Sequence, residues 1–175
     1  MAFTLRELDR VTDHDGVAAI DTAFETASVF ELAIDERRLE LVERTLPQPR
    51  IKRYDIAELF APWCTWDHGY VAVDGGIVGV AVVEYEPWHR RLTLWHLYVG
   101  RPRRREGIAR ALLERVETHG RKIGALRVWL ETSTVNVPGI AAYARLGYTL
   151  CGVDSTYYEA TDVADEVAVY LSKPL

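Results

Sequence analysis

"RLTLWHLYVGRPRRREGIARALLERVETHGRKIG", residues 91–124, decides the fold. Its first nine residues are rich in β-branched, aromatic and other apolar types, which predicts a strand over 91–99. An Arg/Gly turn follows. The spacing of Ile108, Leu112 and Val116 then places three apolar side chains on one helix face. That helix is expected to run to about Lys122, with Gly124 suited to its end. "LRVWLET" (126–132) reads as the next strand. A strand, a helix and a strand in this order predict one parallel crossover over 91–131.

Outward from this unit the pattern stays mixed. "FTLRELD" (3–9) alternates like a short strand, and "DHDGVAAIDTAFETA" (13–27) reads as a helix with Asp13 or Asp15 as its cap. "SVFELAI" and "RLELVER" flank "DER" and are expected to form a hairpin or two short strands. Residues 46–68 hold three prolines and read as an irregular connection. "GYVAVDGGIVGVAVVEYE" (69–86) is a hairpin whose "DGG" supplies the turn. Asn136 is placed to cap a helix "VPGIAAYARL", with Pro138 in its first turn and Gly147 beyond its end. "YTLCGVDSTYY" and "EVAVYLSK" read as closing strands. The fold class expected is α+β, a mixed and mostly antiparallel sheet flanked by helices.

Composition excludes several classes. A chain of 175 residues with 49% hydrophobic and 27% charged residues fits one domain with a real core. Its apolar runs are too short for a transmembrane helix, so no membrane partner is expected. "MAFTLRELDR" lacks the apolar core of a signal peptide. Cys64 and Cys151 show neither metal-ligand spacing nor a disulfide framework. A cytoplasmic protein with no metal site is the expectation.

Charge is unevenly spread. Residues 101–127 carry nine Lys/Arg against three Asp/Glu, inside a chain of formal net charge -5. Arg101, Arg103, Arg104 and Arg105 crowd the turn. A strand's C-terminal end meeting a helix N-terminus suits an anion, because free N–H groups and the helix dipole both favour it. Gly107 lets a ligand approach the main chain. A solvated helix face and a nucleic-acid patch are the competing readings. The acidic total and the absence of interleaved aromatics in 101–116 argue against nucleic acid.

"RREGIA", Arg104 to Ala109, resembles the Arg/Gln-x-x-Gly-x-Gly/Ala acyl-CoA loop of the GNAT superfamily of N-acetyltransferases. The strand before it, the helix after it and the order of the later segments match that family's core. "WHRRLT", "RALL", "WLETSTVNVPGIAAY", "LGYTLCGVD" and "AVYLSKP" are similar to segments of the streptothricin (nourseothricin) acetyltransferases, as is "ASVFEL" nearer the N-terminus. The likeness is dense from about 85 to 175 and thin before 69. Two departures stand out. Arg105 occupies a place where the family usually has Gly, which a negative φ there would accommodate. Pro102 is displaced by one position.

The resemblance implies a single acetyltransferase domain over 1–175, with its core at about 69–175, and a splayed parallel strand pair at the acyl-CoA site. It implies acetyl-CoA as co-substrate, with the backbone of Arg105, Glu106, Gly107, Ile108, Ala109 and Arg110 around the pyrophosphate. Arg104 is the motif's first residue, and Arg101, Arg103 and Arg105 either meet the adenosine 3′-phosphate or face solvent. Leu97 and Val99 lie on the strand before the loop, whose N–H donors can polarise a thioester carbonyl. Tyr143 matches the family's acid for the leaving thiolate, against a packed-aromatic alternative. Asn136 is a helix cap, a pantetheine contact, or both.

The base is open among His96, whose ordinary pKa lies near neutrality, and Glu84, which shares a strand face with Glu86. A packed His96 and surface carboxylates are the blander alternatives. The family's strand acids are replaced here by Trp95 and His96. Glu84, Glu86, Glu131, Asp154 and Tyr158 are the candidate contacts to a cationic acceptor. Trp63, Trp66 and Trp88 either wall a pocket or fill the core. A small-molecule amine acceptor is expected, with a streptothricin-type antibiotic, and hence antibiotic resistance, as one outcome. The alternatives are a protein-lysine or polyamine acetyltransferase, and a non-catalytic acyl-CoA binder. A homodimer follows the family's habit.

Overall fold

The computed structural model describes residues 3–175; Met1 and Ala2, at the head of the stretch read for a leader, lie outside the described residues. In chain order the elements are β1 (Thr4–Glu7), α1 (His14–Ala18), β2 (Phe24–Asp35), β3 (Arg38–Lys52), β4 (His68–Val73), β5 (Ile77–Glu86), β6 (Arg91–Val99), α2 (Ile108–Ile123), β7 (Arg127–Ser133), α3 (Val137–Arg145), β8 (Thr149–Asp154) and β9 (Ala168–Pro174). Short 3-10 turns occupy Ile56–Phe60 and Arg101–Arg103. Two compact units result, one from residues 1–24, 53–129 and 174–175, the other from 25–52 and 130–173.

In the first unit the strand order runs β1-β4-β5-β6 and continues into β7, whose first three residues belong here. The pairs β1·β4, β4·β5 and β5·β6 are antiparallel. β6 and β7, joined through α2, form the parallel pair expected of the crossover. The "DGG" turn holds Gly75 at φ 67, a conformation that costs glycine little. Alternation along β5 sends Val80 and Val82 to one face. There they pack with Val17, Ile20, Ile56, Leu59, Cys64, Trp66 and Val71. Gly79, on the opposite face, receives Ile108 and Leu112 of α2. The register of β5 on β6 steps between Val82↔His96 and Val83↔Leu94, so Trp95 is an extra residue, a β-bulge.

The second unit contains the β2–β3 hairpin, turned through Glu36 and Arg37, and the strand order β7-β9-β8. β8 and β9 pair antiparallel. α3 starts as expected, with the Asn136 side chain accepting from the Gly139 N–H at 3.1 Å.

Two expectations are corrected. The helix read over 13–27 ends at Ala18, and Phe24–Asp35 is a strand. Beyond Ala18 the carbonyls of Thr22 and Ala23 accept from the Arg104 side chain. The irregular connection read from 46 instead begins after Lys52, because β3 runs through Pro47 and Pro49. A two-stranded sheet leaves one edge of each strand unpaired, and prolines two apart place both missing N–H groups on the same edge.

Gly79 fixes how closely α2 sits on β5. A Cβ there would lie 2.9 Å from Ile108 Cγ2, 3.2 Å from the Tyr98 carbonyl and 3.3 Å from Leu112 Cδ1. Gly79→Val is expected to destabilise the fold by about 1–3 kcal/mol, as overpacking does. Urea unfolding of the two proteins measures this. A difference below about 0.5 kcal/mol would show that α2 is not seated on this glycine.

Candidate functional site

The turn between β6 and α2 is built from unusual backbone. Arg104 is extended, Arg105 has φ 68, and Gly107 has φ 85. The negative φ that would have accommodated a side chain at Arg105 is not adopted: its φ of 68 lies in the left-handed region that favours glycine. Two positive-φ residues two apart thus precede the helix. No side chain caps α2 at Gly107. The N–H groups of its first turn thus have no intrahelical acceptor. A Cβ built on Gly107 meets nothing within 4 Å, so the space before the helix is open. These features fit the diphosphate of an acyl-CoA.

The arginines divide into fasteners and exposed charges. Arg104 Nε donates to the Val99 carbonyl at 3.0 Å, Nη1 to Ala23 at 2.7 Å and Nη2 to Thr22 at 3.1 Å. Burial lowers its pKa, yet an arginine stays charged. It ties the turn to the end of β6 and to the segment before β2. Arg103 pairs with Asp74 at 2.9 Å and with Glu106 at 3.0 Å. Arg101, Arg105 and Arg110 are exposed. On β6, Leu97 faces Ala81 in register and Val99 faces Gly79.

His96 is enclosed. Its Nε2 lies 3.5 Å from Cys64 Sγ and its Nδ1 lies 3.1 Å from the Tyr98 hydroxyl. Desolvation lowers its pKa to about 4, so the ring is neutral at pH 7. Desolvation likewise raises the Cys64 thiol. Glu84 accepts from Trp95 Nε1 at 2.8 Å and from Thr65 Oγ1 at 3.1 Å. Glu86 is occupied by Arg91 at 2.8 Å, by His89 at 3.2 Å and by the Thr93 hydroxyl. Desolvation pushes its pKa up, but these bonds and charges lower it on balance. Trp66 is buried and donates to the Leu59 carbonyl at 2.7 Å, whereas Trp63 and Trp88 are exposed.

In the second unit Glu131 and Tyr158 come together, the phenol donating to the carboxylate. Desolvation raises the Glu131 pKa; the Tyr158 bond and the Lys52 charge oppose it, and the Glu166 charge adds to it. Asp154 is exposed, and bonds from the Thr156 hydroxyl and N–H hold its pKa low. Asn136 caps α3 and also donates to Thr132 Oγ1 at 2.9 Å. The Tyr143 ring lies edge-on to Tyr148 at 5.6 Å. Sequence reasoning missed Lys52 and Glu166, which form an ion pair in this unit. A lysine closing one strand and a glutamate entering another carry no local signature of their pairing.

Among the described residues no group of His, Cys, Asp or Glu has the arrangement to hold a metal ion. No helix among them is long and apolar enough to cross a membrane.

His96 gives a pH signature. Its folded pKa of about 4 lies below its ordinary value near 6.5, so the unfolded chain takes the proton first. Stability is then lost as pH falls through about 6.5, and the loss saturates near pH 4 at about 3 kcal/mol. His96→Gln is expected to remove that part of the slope. Urea midpoints between pH 7 and pH 4 for both proteins read it. Equal slopes would show that His96 titrates normally.

Comparison with known proteins gives the following. The model of the acetyltransferase (GNAT) family matches residues 28–148. A streptothricin acetyltransferase of Streptomyces lavendulae is 33% identical over 173 residues, covering 94% of this chain and 92% of that protein. The crystal structure of nourseothricin acetyltransferase has a TM-score of 0.89 at 34% identity, with 99% of each chain covered. A Bacillus anthracis str. Ames protein solved in complex with acetyl coenzyme A has a TM-score of 0.83, covering 99% of this chain and 100% of that one. At 23% identity this last match speaks to the fold alone.

Proposed function

The chain belongs to the acetyltransferase (GNAT) family and is an acetyl-CoA-dependent N-acetyltransferase; from that premise we propose that its acceptor is a small polycationic amine of the streptothricin kind. The observation that carries this is the 33% identity to a streptothricin acetyltransferase across 94% of the chain. All of 1–175 then acts as one catalytic domain, in the cytoplasm, as a homodimer. Acetylation of such an antibiotic is the resistance role that follows.

The reaction joins the acceptor nitrogen to the acetyl carbon and breaks the carbon–sulfur bond of the thioester. The amine gives up a proton and the departing thiolate gains one. Backbone N–H groups from Arg105 to Arg110 hold the diphosphate, and the β6 backbone at Leu97 and Val99 lies along the acyl arm. An alkylamine has a pKa of about 10, so a base must hold the neutral form available. His96 is a poor base in this setting, since its basicity is cut to about 4 and its two nitrogens face Cys64 and Tyr98. Glu84 already accepts two bonds. Glu131, desolvated and raised, is the better acceptor of a proton, directly or through water. Asp154 and Glu84 attract the cationic substrate. Tyr143 supplies the proton to the thiolate.

Acetyl-CoA consumption measured with streptothricin, a polyamine, a lysine peptide and a neutral aromatic amine tests the acceptor. Turnover is expected with the polycations, streptothricin foremost, and preference for the neutral amine would overturn the proposal. In the same series acetyl-CoA should stabilise the wild type by about 2.7 kcal/mol at a hundredfold excess over Kd. Gly107→Trp should abolish that shift by filling the open space before α2. A retained shift in a folded variant would remove the turn from the binding site.

Tyr143→Phe keeps acetyl-CoA binding and is expected to lower kcat about 10²-fold, the low end for loss of a general acid, since a thiolate leaves readily. Steady-state kinetics at saturating substrates check it. A kcat within about twofold of wild type, against the usual effect of an acid, would leave Tyr143 a packing residue.

A further inference from the structure

The least expected charges in the second unit are those of Lys52 and Glu166. Glu166 is 1% exposed, yet it carries an acid into the interior. Lys52, the last residue of β3, places its ammonium against that carboxylate, and Arg50 Nη2 adds a contact at 3.4 Å. Lys52 Nζ also lies 3.4 Å from Ser133 Oγ. Ser133 and Glu131 are two apart on β7, so they share a face. The segment carrying Glu166 is fastened to the end of β7: Thr134 N–H donates to the Val167 carbonyl at 3.0 Å, and Val167 N–H to Thr134 Oγ1 at 3.1 Å. The pair is thereby held beside the strand that presents Glu131.

A buried ion pair is weak evidence of stability, since well-packed apolar residues commonly do as well or better. Its placement beside one half-buried carboxyl needs another account. We propose that Lys52 and Glu166 are a positioning pair that sets the charge state of Glu131 during acyl transfer. The inference rests on the reading of Glu131 as proton acceptor. The groups that face Glu131 are Tyr158, which donates to it, Lys52 and Glu166. Tyr157 and Tyr170 feel its charge, together with that of Asp154. Of these only Lys52 carries positive charge. Its ammonium favours the carboxylate and Glu166 disfavours it, on top of the burial that favours the neutral form. With Arg50 also on Glu166, the pair does not need Glu131 as a counter-ion, so the carboxyl keeps the freedom to take up and release a proton.

The pH dependence of kcat/KM separates this from a merely structural anchor. Lys52→Met should move the acid limb to higher pH, and Glu166→Gln should move it to lower pH. The double variant, which strands no charge, should return the limb toward the wild-type midpoint, and Lys52→Arg should keep it. Side-chain ¹³C titration of Glu131 in the resting enzyme should shift in the same two directions. If Lys52→Met does not fold, Glu166→Gln and the double variant carry the test. Midpoints that stay fixed in folded variants overturn the proposal, provided that Glu131→Gln abolishes the limb. A limb that persists in Glu131→Gln overturns the reading of Glu131 itself and the inference with it.

Discussion

A helix that begins without a side-chain cap is the constraint on which the rest depends. A cap is ordinarily worth about 1 kcal/mol, and α2 forgoes it at Gly107. A left-handed conformation at an arginine costs a further 1–2 kcal/mol or so. Such costs persist only when the surroundings over-determine the backbone. Here the surroundings are specific. Ile108 and Leu112 seat the helix over Gly79, and Arg104 stitches the turn to the carbonyls of Val99, Asp21, Thr22 and Ala23. The open N–H groups are then available to an anion, which satisfies the donors that the fold leaves uncapped.

This changes the meaning of the arginine run. Read as a string, four arginines in five positions suggest an electrostatic patch. In three dimensions Arg104 is structural and Arg103 is neutralised by Asp74 and Glu106. The arginines thus divide into fasteners and the exposed charges of Arg101, Arg105 and Arg110. Arg105 carries left-handed backbone within the turn, with φ 68. The price is local strain at that residue.

How much of this was legible in the sequence follows from the range of the interactions. β4 to β7 and both long helices are written in local pattern: alternation, a 3.6 period, a Gly-Gly turn, and an Asn placed to cap α3. The start of β2, residues 24–27, reads as helix because "AAIDTAFETA" has no local breaker, whereas "SVFELAI" within the same strand reads as extended. β3 was cut short because prolines speak locally against a strand, while a free sheet edge tolerates them. The turn before α2 could be read because its arginines, its glycine and the helix start are contiguous. The surroundings of His96 and Glu131 could not, since Cys64, Tyr98, Tyr158 and Lys52 reach them from other elements.

The carboxylates make the same point in chemical terms. Glu86 and Glu131 are the same residue, each on a strand and each partly desolvated. Burial pushes the Glu86 pKa up, but bonds from Thr93 and Arg91 and the Arg91 charge bring it below the ordinary value, and a carboxylate so committed has little left to offer a proton. Glu131 has one phenol and one ammonium, with a second carboxylate behind that ammonium, and its pKa rises on balance. Residue type therefore does not decide which way a carboxyl's pKa moves; the balance of desolvation against compensation does. At Glu131 burial outweighs the opposing Tyr158 bond and Lys52 charge, and the Glu166 charge adds to it.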